Sequence, residues 1–352
     1  MFKYNYVRDL IERLVEMNDL PLQVELHPGP CCGPFRCKYC YGKGQTLTDG
    51  LLSIDDYSQL LDDLIDKTAF IEISGIRSDP LSYPDFYLLL KLIKEKGFKF
   101  GIHTKGYFTN DELIKLLNTE PTKGNFITIG VDSASTDIYN EVHGLPPNNN
   151  VYDKIEKMII SLYNEKIKRQ SKLRINVAYL LLKNNSSKGQ IDKFIQTFRK
   201  YATVIRFSIP QVPNMAEPIN FLNSEEIDET LELLKDYEDD DITVLKFKES
   251  NHNQNFKFCW AQRFNATIDK SGNVFPCPQV ALKDYFHLRY GNIKESRFWD
   301  IWNSERRKKI LYMSIKDMKC NVCDRKDEAI NIELNKMLRI DRFIVSSSKT
   351  DK

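Results

Sequence analysis

Short apolar runs alternate with stretches in which apolar residues recur every three or four positions, and this alternation dominates the chain up to about residue 210. The short runs predict strands at Gln23–Leu26, Phe70–Ser74, Lys99–His103, Phe126–Val131, Leu173–Leu182 and Val204–Ile209. Helical patterns lie between them. One opens at Ser53 with Asp56 three residues on, a variant of the capping box, and others begin near Pro84, Asn110, Tyr152 and Gln190. An amphipathic helix over residues 7–17 precedes the first strand. Six strands, each followed by a helix, are the repeating unit of a parallel barrel, so the expected fold class is α/β, a partial (β/α)6 barrel.

The pattern stops near Pro210. A helix over residues 224–237 leads into the acidic run Glu238–Asp241, which reads as a solvated linker. Beyond it, residues 265–276 predict two short strands around a Lys-Ser-Gly turn. The expected organisation is an N-terminal helix (1–21), a barrel (22–240), a small C-terminal unit (241–330) and a closing helix and tail (331–352) whose last residues fray. The basic run from Arg306 reads as a solvated face, with a phosphorylated substrate as the alternative.

Composition narrows the function. The 352 residues are 41% hydrophobic and 28% charged, enough for a sizeable core without disulfides. Fifty-one basic against 49 acidic residues leave a formal charge of +2, which offers no electrostatic reason to expect a nucleic-acid partner. The sequence has no apolar run of membrane-spanning length and no signal-peptide pattern, so the expected location is cytoplasmic and reducing, away from membranes.

Eight cysteines in a reducing compartment point to metal rather than to cross-links. They fall in two groups, Cys31, Cys32, Cys37 and Cys40 after the first strand, and Cys259, Cys277, Cys320 and Cys323 in the last third. The first group lies in ELHPGPCCGPFRCKYCYGKGQ, at the carboxyl end of a barrel strand, where parallel barrels place their chemistry. Gly29, Pro30, Gly33, Pro34, Gly42 and Gly44 free the loop from helix or strand geometry, so three thiolates can converge. Such a loop suits an iron-sulfur cluster with one iron left unligated by protein; a zinc knuckle completed by His27 is the alternative.

The short-spaced cysteines, Tyr39 immediately before Cys40, and the strands that follow resemble the radical S-adenosylmethionine (radical SAM) superfamily. The resemblance implies that three cysteines hold a [4Fe-4S] cluster whose fourth iron binds SAM. Cys32, Cys37 and Cys40 give a four-then-two spacing and Cys31, Cys37 and Cys40 a five-then-two spacing; Cys32 needs the smaller insertion from the family's three-then-two. Carried over by position, Tyr39 packs beside the adenine, and Ser74, Gly75 and Ile76 occupy the glycine-rich turn that binds the SAM amino group. The family's acidic residue is absent from that turn, which leaves backbone carbonyls or Asp79. Thr104, Lys105 and Gly106 stand where relatives have Thr-Asn-Gly, and Gly130 replaces a frequent serine. Asp132 and Ser133 are the candidates for the SAM ribose and carboxylate, with Asn176 and Arg206 in similar contact positions.

The second group, Cys259, Gly272, Cys277 and then Cys320-x-x-Cys323, resembles the twitch form of the SPASM appendage. That form binds one auxiliary [4Fe-4S] cluster through four cysteines; a structural zinc is the alternative. The implied enzyme takes electrons from a reduced flavodoxin or ferredoxin and forms a 5′-deoxyadenosyl radical that abstracts hydrogen from an unactivated C–H bond. An auxiliary cluster favours net oxidation by accepting the second electron. The short segment before the first strand, without room for a leader-binding domain, tilts the expected substrate towards a small carbohydrate or nucleotide sugar. Peptide cross-linking or epimerisation, with Cys31 as the spare thiol, is the alternative, and an iron-sulfur scaffold or maturase without radical chemistry is another.

Overall fold

A computed structural model describes residues 20–40, 42, 44, 46–68, 70–210, 221–245, 256–320, 323 and 325–337. The expected helix over residues 7–17 and the frayed tail lie outside the described residues.

The strands β1 (Gln23–Leu26), β2 (Phe70–Ile73), β3 (Lys99–Thr104), β4 (Phe126–Gly130), β5 (Arg174–Leu180) and β6 (Val204–Ser208) pair in chain order, each parallel to the next. The crossovers carry helices α1 (Ile54–Leu64), α2 (Phe86–Glu95), α3 (Asp111–Leu117), α4 (Thr136–His143), α5 (Val151–Lys168) and α6 (Lys188–Phe198). Local chemistry starts them as expected: Ser53 and Asp56 form a reciprocal capping box on α1, and the Asn110 side chain accepts the Leu113 N–H at the head of α3. Alternation sorts the strand residues. Val24, Leu26, Ile71, Ile73, Phe100, Ile102, Ile127, Ile129, Ile175 and Val177 share one buried core with helix residues such as Tyr57, Leu61, Ile93 and Phe194. The opposite face carries Gln23, Glu25, Glu72, His103, Thr128, Asn176 and Arg206.

The sheet does not end where the apolar pattern fades. After α7 (Ser224–Lys235), a seventh strand, β7 (Ile242–Leu245), pairs in parallel with β6. The acidic run read as a solvated linker is the turn that launches it: the Asp239 carboxylate accepts the N–H groups of Asp241 and Ile242, both at 2.9 Å, and pairs with Arg199. At the other edge, β8 (Asn265–Ile268) joins β1 in parallel and turns into antiparallel β9 (Asn273–Phe275), with β10 (Gly291–Asn292) beyond. One ten-stranded sheet, ordered β10-β9-β8-β1-β2-β3-β4-β5-β6-β7, therefore runs across the boundary expected near residue 240. Gly272 has φ +91° in the β8–β9 turn, and a Cβ there would lie 2.9 Å from Asn292 Oδ1.

Four more helices, α8 (Phe298–Trp302), α9 (Glu305–Leu311), α10 (Ile315–Met318) and α11 (Arg325–Met337), complete the described chain. The basic run on α9 is not wholly a solvated face. Arg307 is 1% exposed, its guanidinium 3.5 Å from the centre of the Trp302 ring and donating to the Trp302 carbonyl at 2.9 Å. No helix among the described residues is long and apolar enough to cross a membrane.

Candidate cofactor and metal centres

The loop after β1 is tied down by three backbone bonds to two other segments. Asp79 N–H donates to the Cys31 carbonyl at 2.8 Å, Arg36 N–H to that of His143 at 2.8 Å, and Lys38 N–H to that of Val142 at 3.2 Å. A Cβ at Gly29 would stand 2.0 Å from the Asp79 carbonyl oxygen, so only glycine lets the chain pass. Cys31 is exposed, whereas Cys32, Cys37 and Cys40 are half-buried. Burial, then the neighbouring Cys40 and Cys37, pushes the Cys32 thiol up to about 12. Burial pushes Cys37 to about 11, against the pull of Lys105 and with help from Cys40. The thiols of Cys32, Cys37 and Cys40 thus lie close enough to bear on one another. Thiols so placed ionise readily only against a strong local positive charge, which iron supplies. No three Cys, His, Asp or Glu side chains among the described residues close on a single-ion geometry, so the fit to a cluster rests on the nearness of these thiols to one another.

Behind Cys37 stands a buried hub. Asp132 takes φ +59°, and its Oδ2 accepts the Tyr39 hydroxyl at 2.6 Å and the Lys105 ammonium at 2.8 Å. Its Oδ1 accepts Leu180 N–H at 2.8 Å, and its carbonyl accepts the Asn185 amide at 2.8 Å. Burial opposes its ionisation, but the Lys105 charge, with His143 and Tyr39, holds the carboxyl below the usual range. Lys105 also donates to the Tyr39 hydroxyl, 5.3 Å from that ring's centre. Cys37 Sγ lies 3.3 Å from His143 Nδ1, and His143 Nε2 donates to the Val131 carbonyl at 3.1 Å. A Cβ at Gly130 would fall 2.9 Å from Lys105 Nζ, so the glycine makes room for the lysine. Lys105 and Gly130, unremarkable as separate positions, are one spatial unit.

The remaining expected contacts are distributed unevenly. Ser133 Oγ donates to the Ser135 carbonyl and accepts its N–H, so this fully buried side chain serves the local turn. Thr104 Oγ1 reaches both oxygens of Asp79, which also accept Lys105 N–H at 2.7 Å and Leu81 N–H at 2.9 Å. Asp79 therefore ties the turn after β2 to the end of β3. In that turn a Cβ at Gly75 would press to 2.4 Å on the Ser78 carbonyl. Ser74 Oγ donates to Glu25 and lies 3.1 Å from His27 Nε2, which is itself 3.0 Å from Glu25 Oε1.

His27, the ligand of the zinc alternative, here meets Glu25 and Ser74, and Glu25 was not singled out in the sequence; alternation along β1 was the available signal that both share a face with Gln23. Beneath them Glu72 pairs with Gln23 and, at 2.8 Å, with His103. Phe70 and Phe126 stack 5.8 Å apart over Gly101, whose missing side chain leaves the Phe126 ring its place. Asn176 donates to Thr128 at 3.4 Å, while its Oδ1 and the hydroxyl of Thr267, level with Glu25 on β8, are buried without a partner among the described residues. Arg206 stands on the same face of β6.

The second group converges as well. Cys259 precedes a 3-10 turn at Ala261–Arg263, Cys277 heads another at Pro278–Val280, and Cys320 and Cys323 lie between α10 and α11. Burial, followed by Asp327, pushes Cys259 to about 12; burial also raises Cys277 and Cys323 well above the ordinary thiol value. Cys320 bears on each of these three, so all four thiols are mutual neighbours, and none is in a disulfide. Four such donors, with no fifth group needed, fit a fully protein-ligated iron-sulfur cluster.

Comparison with known proteins agrees with this geometry. Residues 28–177 match the model of the radical SAM superfamily, and residues 259–325 match that of the SPASM iron-sulfur cluster-binding domain. The tungsten-containing aldehyde ferredoxin oxidoreductase cofactor-modifying protein of Pyrococcus furiosus is 24% identical over 294 residues, 77% of this chain and 78% of its own. Streptococcus suis SuiB bound to S-adenosylmethionine superposes with a TM-score of 0.65 at 17% identity, over 87% of this chain and 71% of that one. Native anSMEcpe with bound AdoMet and Cp18Cys peptide gives 0.58 at 17% identity, over 83% and 82%. At these identities the structural likeness establishes a common fold.

Proposed function

The chain belongs to the radical SAM superfamily and carries a SPASM iron-sulfur domain, and from that premise we propose that it oxidises a small polyhydroxylated substrate, a carbohydrate or nucleotide sugar. Its cofactors are a [4Fe-4S] cluster with SAM and an auxiliary iron-sulfur cluster. In this reading Cys32, Cys37 and Cys40 hold the first, and Cys259, Cys277, Cys320 and Cys323 hold the second. When bound, these groups supply hydrogen abstraction from an unactivated C–H bond and a one-electron sink.

The chain's own residues bind and orient. One observation carries the substrate class: the sheet face opposite the helices is polar where a parallel barrel ordinarily packs branched apolar side chains. Glu25, His27, Glu72 and His103 alternate acceptors and donors there, the pattern that ring hydroxyls satisfy. The Phe70–Phe126 stack closes one end. Around SAM, Tyr39 supplies an aromatic wall, Ser74 and Gly75 the backbone of the amino-group turn, and Asn176 and Arg206 polar contacts. Thr104, Asp132 and Ser133 act one step back, holding that wall and turn in place. A reduced ferredoxin or flavodoxin is the proposed electron donor.

A peptide substrate is the second reading, favoured by the fold shared with SuiB, which has been crystallised with its precursor peptide SuiA. The test is anaerobic reconstitution and dithionite reduction with SAM, scoring 5′-deoxyadenosine against panels of sugars and peptides. The expected result is stimulation by a hydroxylated small molecule and a product lighter by two hydrogens. Stimulation by peptides alone would replace this reading with the second. Iron loading of both sites without any SAM cleavage would leave only the scaffold reading.

A further inference from the structure

We propose that Asn331 and Asp327 of α11 set the reduction potential of the auxiliary cluster, in opposite directions. The inference rests on the reading that Cys259, Cys277, Cys320 and Cys323 hold that cluster, and it assigns to α11 a role that the cysteine spacing does not contain.

Asn331 and Asp327 are four residues apart on the helix and so share one face. That face meets the Cys259 loop, where Ile330 and Leu334 pack with Ala261 and Phe264. Asn331 is fully buried, and its Oδ1 accepts the N–H groups of Trp260 at 2.6 Å and Ala261 at 2.9 Å. These two bonds define the amide's orientation, because a flip would set its NH2 against two donors. The Nδ2 group therefore points at Cys259 Sγ, 3.5 Å away. Asp327 is buried one turn earlier, and its Oδ1 accepts the Asn265 amide at 2.9 Å at the start of β8. It lies one turn from Asn331 on the same face, which places the carboxylate on the side of α11 that meets the Cys259 loop.

Reduction adds negative charge to a cluster. An N–H aimed at a ligating sulfur stabilises the reduced state, whereas a buried carboxylate opposes it, and low local dielectric strengthens both effects. Two near-isosteric changes separate the contributions. Asp327→Asn keeps an acceptor for Asn265 and removes the charge, so the potential rises. Asn331→Asp keeps the acceptor for Trp260 and Ala261 but sets an oxygen against Cys259, so the potential falls.

The experiment is an EPR-monitored redox titration of the full-length protein with both clusters reconstituted, the first recognised by its spectral change on adding SAM. At a fixed potential, the ratio of reduced to oxidised auxiliary cluster should shift by about tenfold, upward in Asp327→Asn and downward in Asn331→Asp. Unchanged potentials, or shifts in the same direction, overturn the proposal, since mere loosening of the helix has no reason to separate the signs. Should a variant fail to load iron, the unmutated protein decides. Labelling with 15N-asparagine must alter the nitrogen modulation of the auxiliary signal in pulsed EPR, and no alteration overturns the proposal. An unmutated chain holding only about four iron atoms would defeat the underlying cluster reading itself, a failure distinct from a loaded cluster with untuned potential.

Discussion

Replacing Lys105 with Met removes the cation facing Asp132 and leaves a carboxylate whose side chain is 1% exposed. At 2.8 Å and an effective dielectric of about 20, the pair attracts by about 6 kcal/mol, most of which offsets the cost of taking both charges from water. Breaking a buried pair from one side costs about 3–5 kcal/mol because the other charge remains. Here the Tyr39 hydroxyl and Leu180 N–H still reach Asp132, and the Lys105 side chain is 21% exposed, which places the loss near the lower end. The expected destabilisation of Lys105→Met is about 3 kcal/mol, more than a hundredfold in the unfolding equilibrium. Lys105→Met combined with Asp132→Asn should cost less than the sum of the single changes by about 2 kcal/mol, since the double change leaves no stranded charge. The assay is urea unfolding of the reduced, metal-free protein and the three variants, followed by far-ultraviolet circular dichroism. A loss below about 1 kcal/mol for Lys105→Met, or strict additivity, would refute the view that this pair organises the pocket behind Cys37.

Three further outcomes follow from the same geometry. Gly130→Ser, which places a Cβ 2.9 Å from Lys105 Nζ, should cost about 1–3 kcal/mol in the same unfolding assay, and less than that when introduced into the Lys105→Asn variant. Equal cost with and without the second change would separate the two positions. Cys31→Ala should retain about eight iron atoms per reconstituted chain and Cys32→Ala only about four, with metal analysis as the readout; the reverse order would move the ligand to Cys31. Gly272→Ala, at φ +91° and pressed on Asn292, should lower stability by about 1–3 kcal/mol, and a neutral result would show that the β8–β9 turn relaxes freely.

Local pattern was enough for much of this molecule. Short apolar runs between helical stretches located β1 to β6, because each strand must bury side chains against the helices, and the Ser53 and Asn110 caps located helix starts through bonds made within four residues. The two cysteine groups were legible for a related reason: cysteines are few and chemically distinctive, and short spacings such as Cys37 to Cys40 and Cys320 to Cys323 stand out. What lay beyond the sequence was every relation between distant segments. The strand β7 has only four residues, and it becomes a strand through its bonds with β6; the pairing of β8 with β1 likewise joins segments more than two hundred residues apart. Tyr39, Lys105, Gly130 and Asp132 acquire meaning only where their loops meet, since the strength of a charge pair depends on the water that folding removes. The burial of Arg307 against Trp302 and the amide of Asn331 against Cys259 were decided in the same way, by packing that no local pattern encodes.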